Sequence, residues 1–263
     1  MEKMKKNKKS IIQENIIKVI KSGGVVVFPT DTVYGIGALP QKEPVAKIYK
    51  IKKRDFSKKI IALISDKKIL KDLVQESCEN MLKIDRILEK YWPGELTVIF
   101  RANKNFTHKF DAQMETIGIR IPKNKLALEL IEKAGGILLT TSANISGKNA
   151  VSRISDLDLK IQRKSDAVVF DEKNENLTGK PSTIVKYEDG KLTLLRQGNI
   201  LFEEIEKNFE KKEKIKFLNF LEQSITNSKN TIQYPTYKSY KDQQRIIEKF
   251  FSQKYFWNPE NKS

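Results

Sequence analysis

The sequence predicts an α/β protein built on a mixed, twisted sheet with helices packed on it, followed by a mostly helical C-terminal extension. Short apolar, β-branched runs such as 25–28 and 137–140 alternate with amphipathic helical patterns. The strands and helices do not follow a strict βαβ repeat, which favours a sheet with both parallel and antiparallel neighbours. The length of 263 residues suits one large domain with an extension.

Three segments follow from these patterns: a basic tail over residues 1–9, the α/β domain over 10–200, and the extension over 201–263. The extension begins with a charged helical stretch from Phe202 to about Phe220 and ends with an aromatic-rich segment over 244–257. Its aromatic side chains require burial, so we expect the extension to pack on the main domain or on a partner.

The first elements lead to a polar turn. A helix starts at Ser10 and ends at Gly23 and Gly24, and a buried strand covers 25–28. Pro29 should end this strand, because proline cannot donate to a sheet ladder. The segment TDTVYGIG follows. On local chemistry it is either an ordinary strand-to-helix turn or a ligand site at a strand end.

The remaining pattern predicts seven further strands and four further helices. The Asp189–Gly190 pair predicts a hairpin turn, residues 101–114 predict a loop, and residues 151–166 are weakly helical. The predicted helices cover 45–51, a stretch capped by Asp66, 79–91 and 124–134, and the predicted strands cover 60–64, 96–100, 116–121, 137–140, 167–170 and the hairpin 183–187/192–196.

Composition narrows the function classes. The net charge of +17 favours anionic partners such as nucleotides or nucleic acid. Lysine is abundant throughout the chain, so a compositional bias is the alternative explanation of this charge. No apolar run is long enough for a membrane helix or a signal peptide. The single Cys78 excludes an internal disulfide. These observations predict a cytoplasmic protein without membrane contact.

Several kinds of site are excluded. His108 is the only histidine, so neither a histidine-based metal cluster nor a Ser-His-Asp triad is expected, and no metal-binding residue is predicted. The chain has neither a P-loop nor a G-x-G-x-x-G sequence, so any nucleotide is bound without them.

Polar and basic side chains cluster at the predicted strand ends. The turn TTSANISG, residues 140–147, adds hydroxyl and amide groups to those of the TDT turn. Basic residues lie beside or within predicted strands and turns, and together they predict a pocket for a polar, anionic ligand: Lys52, Arg54, Lys58, Arg120 and Arg196.

The motifs PTDTVYGIG, KKRDFSK, WPGELT, IGIRIP, TTSANISG, PSTIV and LRQG occur in the order typical of the YrdC-like family. The chain resembles this family over roughly residues 10–200. Its members are L-threonylcarbamoyladenylate synthases of tRNA modification, which implies that this segment is a synthase domain.

The resemblance implies a reaction in which L-threonine, bicarbonate and ATP form threonylcarbamoyl-AMP and pyrophosphate, with Mg²⁺ accompanying ATP. The product would go to a downstream threonylcarbamoyl transferase complex, and contact with tRNA or double-stranded RNA is open. No residue is an obvious general base, so we expect rate enhancement from positioning and charge neutralisation.

The resemblance also implies roles for individual residues. Threonine would be bound by Thr32, Arg120, Thr140 and Ser182. ATP would be bound by Arg54, Lys58, Thr116, Ser142, Asn144 and Arg196. The catalytic group would comprise Lys52, Arg54 and Arg120.

Five positions depart from the family pattern: Lys53, Asp55, Leu63, Glu95 and Ala150. In the extension, residues 237–240 (YKSY) resemble a linker segment that covers the active site in longer relatives. The alternative functions are an RNA- or ribosome-binding module with the same fold and a carbamoyl-transfer domain of hydrogenase maturation. The latter ranks last, since the cysteine-rich zinc segments are missing.

Overall fold

The structure is a computed structural model that describes residues 14–170 and 177–210. These residues form two compact units, one of residues 14–75 and 91–201 and the other of residues 76–90 and 202–210. The predicted tail, the start of the first helix and every prediction beyond residue 210, including the YKSY and aromatic segments, lie outside the described residues. The domain boundary at residue 200 stays a prediction.

The first unit contains a nine-stranded sheet, counted over the described residues, with the order β7-β1-β2-β6-β3-β5-β4-β8-β9. The pairs β1/β7, β3/β5 and β4/β8 are parallel and the others are antiparallel, so the predicted mixed sheet is confirmed. The strands are β1 (Val26–Pro29), β2 (Tyr34–Ala38), β3 (Ile61–Ile64), β4 (Leu96–Arg101), β5 (Thr116–Arg120), β6 (Ile137–Ser142), β7 (Ala167–Val168), β8 (Thr183–Glu188) and β9 (Lys191–Arg196).

Helices connect these strands, and two short 3₁₀ turns lie at Lys67–Ile69 and Ile154–Asp156. No helix of the described residues is long and apolar enough to cross a membrane. The helices are α1 (residues 14–21), α2 (Lys42–Lys52), α3 (Leu70–Leu73), α4 (Cys78–Tyr91), α5 (Lys104–Thr107), α6 (Lys125–Lys133), α7 (Leu159–Lys164) and α8 (Phe202–Glu210). Helix α8 and nearly all of α4 belong to the second unit, where Lys90 Nζ lies 3.1 Å from Glu204 Oε1.

Two apolar clusters cover opposite faces of the sheet. Val26 and Phe28 of β1 pack in one cluster with apolar side chains of α1 and α6. Val27, which points to the other face, packs in a second cluster with apolar side chains of α2 and α7. Because both faces of β1 are buried, its sequence is a continuous apolar run rather than an alternating one.

Pro29 ends β1 as the sequence predicts, and it is itself the last paired residue, opposite Tyr34, where its missing N–H is tolerated. The structure corrects two other details of the sequence analysis. Residues 34–38 form strand β2 of a hairpin and not a turn into a helix. Residues 101–114 contain the short helix α5. Strand β2 was missed because its two glycines lower β-propensity.

Helix α6 begins where the sequence predicts, and its cap gives a stability test. The Asn124 side chain accepts a hydrogen bond from the backbone N–H of Ala127 at 2.9 Å. Asn124→Ala should lower the free energy of unfolding by about 1 kcal/mol, because it leaves a helix-terminal N–H without its side-chain acceptor. Urea denaturation measures this. Asn105→Ala at an exposed position of α5 is the control, and an equal loss in both variants would contradict the capping role.

Candidate active site

The register of the sheet places most of the predicted polar residues on one face. Directly paired residues point to the same face. Thr140 pairs with Gly37 and with Ile61, and Ile61 pairs with Gly118. Every second residue along these strands points to the same face. The pairing of β5 with β4, of β4 with β8 and of β8 with β9 extends this face to the edge of the sheet. The shared face carries Thr97, Thr116, Arg120, Thr140, Ser142 and Arg196.

Three glycines on this face leave it without side chains where the strands approach most closely. A Cβ atom on Gly37 would lie 2.7 Å from Thr140 Oγ1, and one on Gly35 would lie 2.9 Å from Thr140 Cγ2. A Cβ atom on Gly118 would lie 2.9 Å from Ile61 Cγ2. The missing side chains leave room for neighbouring residues, since Thr140 lies over Gly35 and Gly37 and Ile61 lies over Gly118.

Arg120, the last residue of β5, is the most buried cation of this face, with a side chain that is 4% exposed. Its Nε donates to Gly94 O at 2.8 Å and its Nη1 donates to Thr32 Oγ1 at 2.9 Å. Its Nη2 donates to Asp31 Oδ1, which forms an ion pair. Burial lowers the pKa of Arg120, and the nearby Asp31 partly opposes that shift. The strand therefore holds a fixed, desolvated guanidinium.

The turn opposite Arg120 is fixed by hydroxyl groups. Thr30 Oγ1 accepts hydrogen bonds from the backbone N–H groups of Thr32 and Val33, each at 3.2 Å, and donates to Val33 O at 2.6 Å. Serine and threonine hydroxyls stabilise turns in this way. The oxygens of Asp31 and Thr32 are thus directed towards Arg120 by the local sequence TDT.

Arg196 is a second cation of this face, and it is hydrogen-bonded to Ser182. Its Nη2 donates to Ser182 O at 2.8 Å and to Ser182 Oγ at 3.2 Å, and Ser182 Oγ lies 2.8 Å from Thr97 Oγ1. The pKa of Arg196 is lowered first by burial and then by the charge of Arg120. Two like charges on one face repel, and an anion between them would relieve that repulsion.

Lys52 is fully buried at the end of α2 and holds the turn that follows β6. Its Nζ donates to the backbone oxygen of Ser142 and, at 2.5 Å, to that of Asn144. Ser142 Oγ donates to Asn144 Oδ1 at 2.5 Å, and Asn144 Nδ2 donates to Lys148 O at 2.6 Å. Burial, and then the charge of Arg54, lower the pKa of Lys52 to about 7. Lys52 thus contacts the site through this turn.

The basic turn after α2 is organised around Arg54. Its Nε donates to Lys58 O at 2.8 Å and its Nη2 donates to Lys59 O at 2.9 Å. Burial lowers the pKa of Arg54. Tyr49 donates to the same Lys58 oxygen at 3.2 Å and stacks on Phe56 with ring centroids 4.4 Å apart. The Lys58 side chain is exposed, so only its backbone takes part in these contacts.

A cavity of about 520 Å³ lies beside this turn, but it is not the predicted site. Its walls include Tyr49, Phe56, Phe110 and Met114, and no residue predicted to bind threonine or ATP lines it. The polar face of the sheet remains the better candidate, because convergent charged and hydroxyl groups mark a ligand site more specifically than volume does.

The predicted residues form four contact groups rather than one. Thr32 contacts Arg120, and Ser182 contacts Arg196. Lys52 contacts the turn of Ser142 and Asn144, and Arg54 contacts Lys58. Thr116 lies four residues before Arg120 in β5, which separates them by roughly 13 Å along the strand. The two lie towards opposite ends of the face, so one small ligand does not contact both.

Sequence reasoning missed three groups of this site: the Asp31 carboxylate, the Thr97 hydroxyl and the Gly94 carbonyl. Asp31 lies within the TDT turn that was singled out, but its pairing with Arg120 spans 89 positions. Thr97 could have been found, since it is a hydroxyl in the otherwise apolar strand LTVIF. A backbone carbonyl such as that of Gly94 leaves no signal in the sequence.

The sequence model of the Sua5/YciO/YrdC family, described as "Telomere recombination", matches residues 18–198. The chain belongs to this family. A putative threonylcarbamoyl-AMP synthase of Methanocaldococcus jannaschii is 35% identical over 190 residues, which cover 72% of this chain and 86% of that relative. The threonylcarbamoyl-AMP synthase of Bacillus subtilis is 34% identical over 194 residues, covering 72% of this chain and 54% of that relative.

A family member of known structure has the same fold. The crystal structure of P. abyssi Sua5 complexed with L-threonine superposes with a TM-score of 0.69 at 28% identity, covering 75% of this chain and 57% of that one. The chain thus spans little more than half of these two longer relatives, and most of the shorter one.

The buried ammonium of Lys52 predicts a pH-dependent stability. Its pKa is about 7 in the folded chain and roughly 10.4 when unfolded. Between these values the unfolded chain binds more protons at this position, so the free energy of unfolding rises with pH. Relative to Lys52→Met, the unmodified chain should gain about 2 kcal/mol between roughly pH 7 and pH 9.

Urea denaturation of both chains at several pH values measures this gain. Lys50→Met, at an exposed position of the same helix, is the matched control and should show no such rise. A constant difference between the unmodified chain and Lys52→Met would contradict the lowered pKa of Lys52.

Proposed function

We propose that this chain is an L-threonylcarbamoyladenylate synthase, which forms threonylcarbamoyl-AMP and pyrophosphate from L-threonine, bicarbonate and ATP. Family membership and the names of the relatives support the activity. The observation that carries the proposal is the buried Arg120 beside Thr32, on a sheet face that also holds a second arginine. These relatives give no support to the alternative of an RNA-binding module.

The proposed threonine subsite lies around Arg120. A guanidinium binds a carboxylate through a planar fork, and burial strengthens that interaction. Thr32, Thr140 and Ser182 are each at most 3% exposed and supply hydroxyls for the amino acid and its side chain. The L-threonine complex of P. abyssi Sua5 supports threonine as the amino acid.

ATP would lie beside this subsite. Arg196 reaches it from β9, Arg54 and Lys58 from the basic turn, Thr116 from the start of β5, and Ser142 and Asn144 from the turn after β6. Several positive charges are needed to balance a triphosphate. Mg²⁺ would enter with ATP and bind mainly through phosphate oxygens, since magnesium seldom uses a dedicated protein cage. The hydroxyl and cationic side chains named here suit such a metal-bound nucleotide, because they bind phosphate and not metal.

In the proposed reaction the threonine ammonium first loses a proton to solvent, and the free amine attacks the carbon of bicarbonate to form a carbamate as water leaves. A carbamate oxygen then attacks the α-phosphate of ATP, the bond between the α- and β-phosphates breaks, and pyrophosphate leaves. The residues of the site would act by holding the two substrates and by balancing the charge that develops. Arg54 and Arg120 would contact substrate directly. Lys52 would act by holding the Ser142–Asn144 turn, since its ammonium is bonded to that turn.

The product would pass to a threonylcarbamoyl transferase complex that modifies tRNA. Direct contact with tRNA or double-stranded RNA is a further expectation from the positive charge of +17. We place the enzyme in the cytoplasm, where ATP, bicarbonate and tRNA are present.

Pyrophosphate release by the purified chain tests the proposed function. Release should require ATP, L-threonine and bicarbonate together, and L-serine should be a poor substitute for threonine. Release without threonine would point to plain ATP hydrolysis and contradict the proposal. Tight RNA binding that weakens steeply with salt, with no release under any combination, would favour the RNA-binding alternative.

Arg120→Ala should lower threonine-dependent pyrophosphate release on the order of 10²- to 10³-fold, since one charged contact contributes about 2–4 kcal/mol to transition-state stabilisation. Arg163→Ala is the matched control, because Arg163 is exposed on α7, and α7 packs on the opposite face of the sheet. That variant should keep its activity. Near-normal release by Arg120→Ala would refute the threonine-binding role.

A further inference from the structure

We infer that Asp31 binds the α-ammonium group of the amino-acid substrate, while Arg120 binds the α-carboxylate of the same molecule. This inference rests on the proposed function, because it concerns the substrate of that site. It adds a substrate-binding residue that the sequence analysis did not include, and it makes the site a receptor for a zwitterion rather than for an anion alone.

The first observation is an incompletely bonded carboxylate. Asp31 Oδ1 accepts a hydrogen bond from Arg120, but Asp31 Oδ2 is buried and has no hydrogen-bond partner within residues 14–170 and 177–210. It is the one side-chain atom of the described residues in this state. A buried acceptor without a donor is costly, so its presence calls for an explanation such as a bound group.

The second observation is the spare hydrogen-bonding capacity of Arg120. A guanidinium carries five N–H donors, and Nε, Nη1 and Nη2 of Arg120 each make one hydrogen bond within the described residues. Each terminal nitrogen therefore retains one further N–H. A carboxylate can accept hydrogen bonds from such N–H groups through both of its oxygens.

The unbonded oxygen of Asp31 and the remaining N–H groups of Arg120 lie close to each other, since the two side chains form an ion pair. A ligand that satisfies both must bring a carboxylate for Arg120 and an N–H donor for Asp31. One carbon atom separates these groups in an α-amino acid. A phosphate or a simple carboxylic acid would satisfy Arg120 but would place a second negative charge against Asp31, so such ligands are disfavoured.

The geometry around Asp31 keeps this acceptor in place. Thr178 N donates to the backbone oxygen of Asp31 at 3.2 Å, and Gly179 N donates to that of Thr32 at 2.9 Å. These bonds fix the backbone of Asp31 and Thr32, which helps to keep the Asp31 carboxylate beside Arg120. A single buried water on Oδ2 is the alternative occupant.

Isothermal titration calorimetry with the full chain tests this assignment. The two probes are L-threonine and (R)-3-hydroxybutyrate, which keeps the carboxylate and the hydroxyl but lacks the amine. The unmodified chain should bind L-threonine about tenfold or more tightly than (R)-3-hydroxybutyrate, as expected for a hydrogen bond to a charged group. In Asp31→Asn this preference should fall to about threefold or less.

Glu95→Gln is the matched control, because Glu95 also acts on Arg120 electrostatically but accepts a hydrogen bond from Asn199 at 2.7 Å. It should keep the full preference. Equal binding of both probes by the unmodified chain overturns the assignment even if Asp31→Asn does not fold. An unchanged preference in folded Asp31→Asn also overturns it and leaves water as the occupant. If neither probe binds and pyrophosphate release is absent as well, the proposed function itself fails and the assignment falls with it.

Discussion

The buried guanidinium of Arg120 is the constraint on which the site depends. A charge that is almost fully removed from water is tolerated only with opposite charge and hydrogen-bond acceptors around it. Two parts of the chain supply these to the arginine of β5: the turn after β1 with Asp31 and Thr32, and the carbonyl of Gly94 before β4. The ends of separate elements are therefore held together by the requirements of one side chain.

The sheet gives this arginine its surroundings. Mixed pairing brings β5 between β3 and β4, and the register continues to β6 and to the β8/β9 hairpin. Helices α1 and α6 cover the apolar part of this face, where Phe28, Leu63 and Leu138 are buried. The remainder carries hydroxyls, cations and glycines, so one face serves both as core and as candidate site. Polar residues can be tolerated there only because a ligand or other polar groups bond to them.

Much of the fold could be predicted from the sequence, but the site could be predicted only as a set of residues. The cap at Asn124 and the hairpin turn at Asp189–Gly190 are local, and both are present. Strand β2 was missed because its glycines are dictated by neighbours distant in sequence, namely the close approach of Thr140. Residues such as Arg120 and Arg196 were found through the order of family motifs. Their partners were not, because pairing across the sheet is set by register and not by spacing.

The distribution of charge explains why the site should bind two substrates and not one. Burial and then the charge of Arg120 lower the pKa of Arg196, and burial and then the charge of Arg54 lower the pKa of Lys52. Arg120 already has a carboxylate partner, whereas Arg196 and Arg54 bond mainly to neutral oxygens of Ser182, Lys58 and Lys59. The end with Arg120 is therefore nearly balanced and suits a zwitterion, while the arginines without carboxylates suit a polyanion. An amino acid and a nucleoside triphosphate have these two charge types. The different hydrogen-bond partners of the arginines therefore assign the two substrates of the proposed reaction to different arginines.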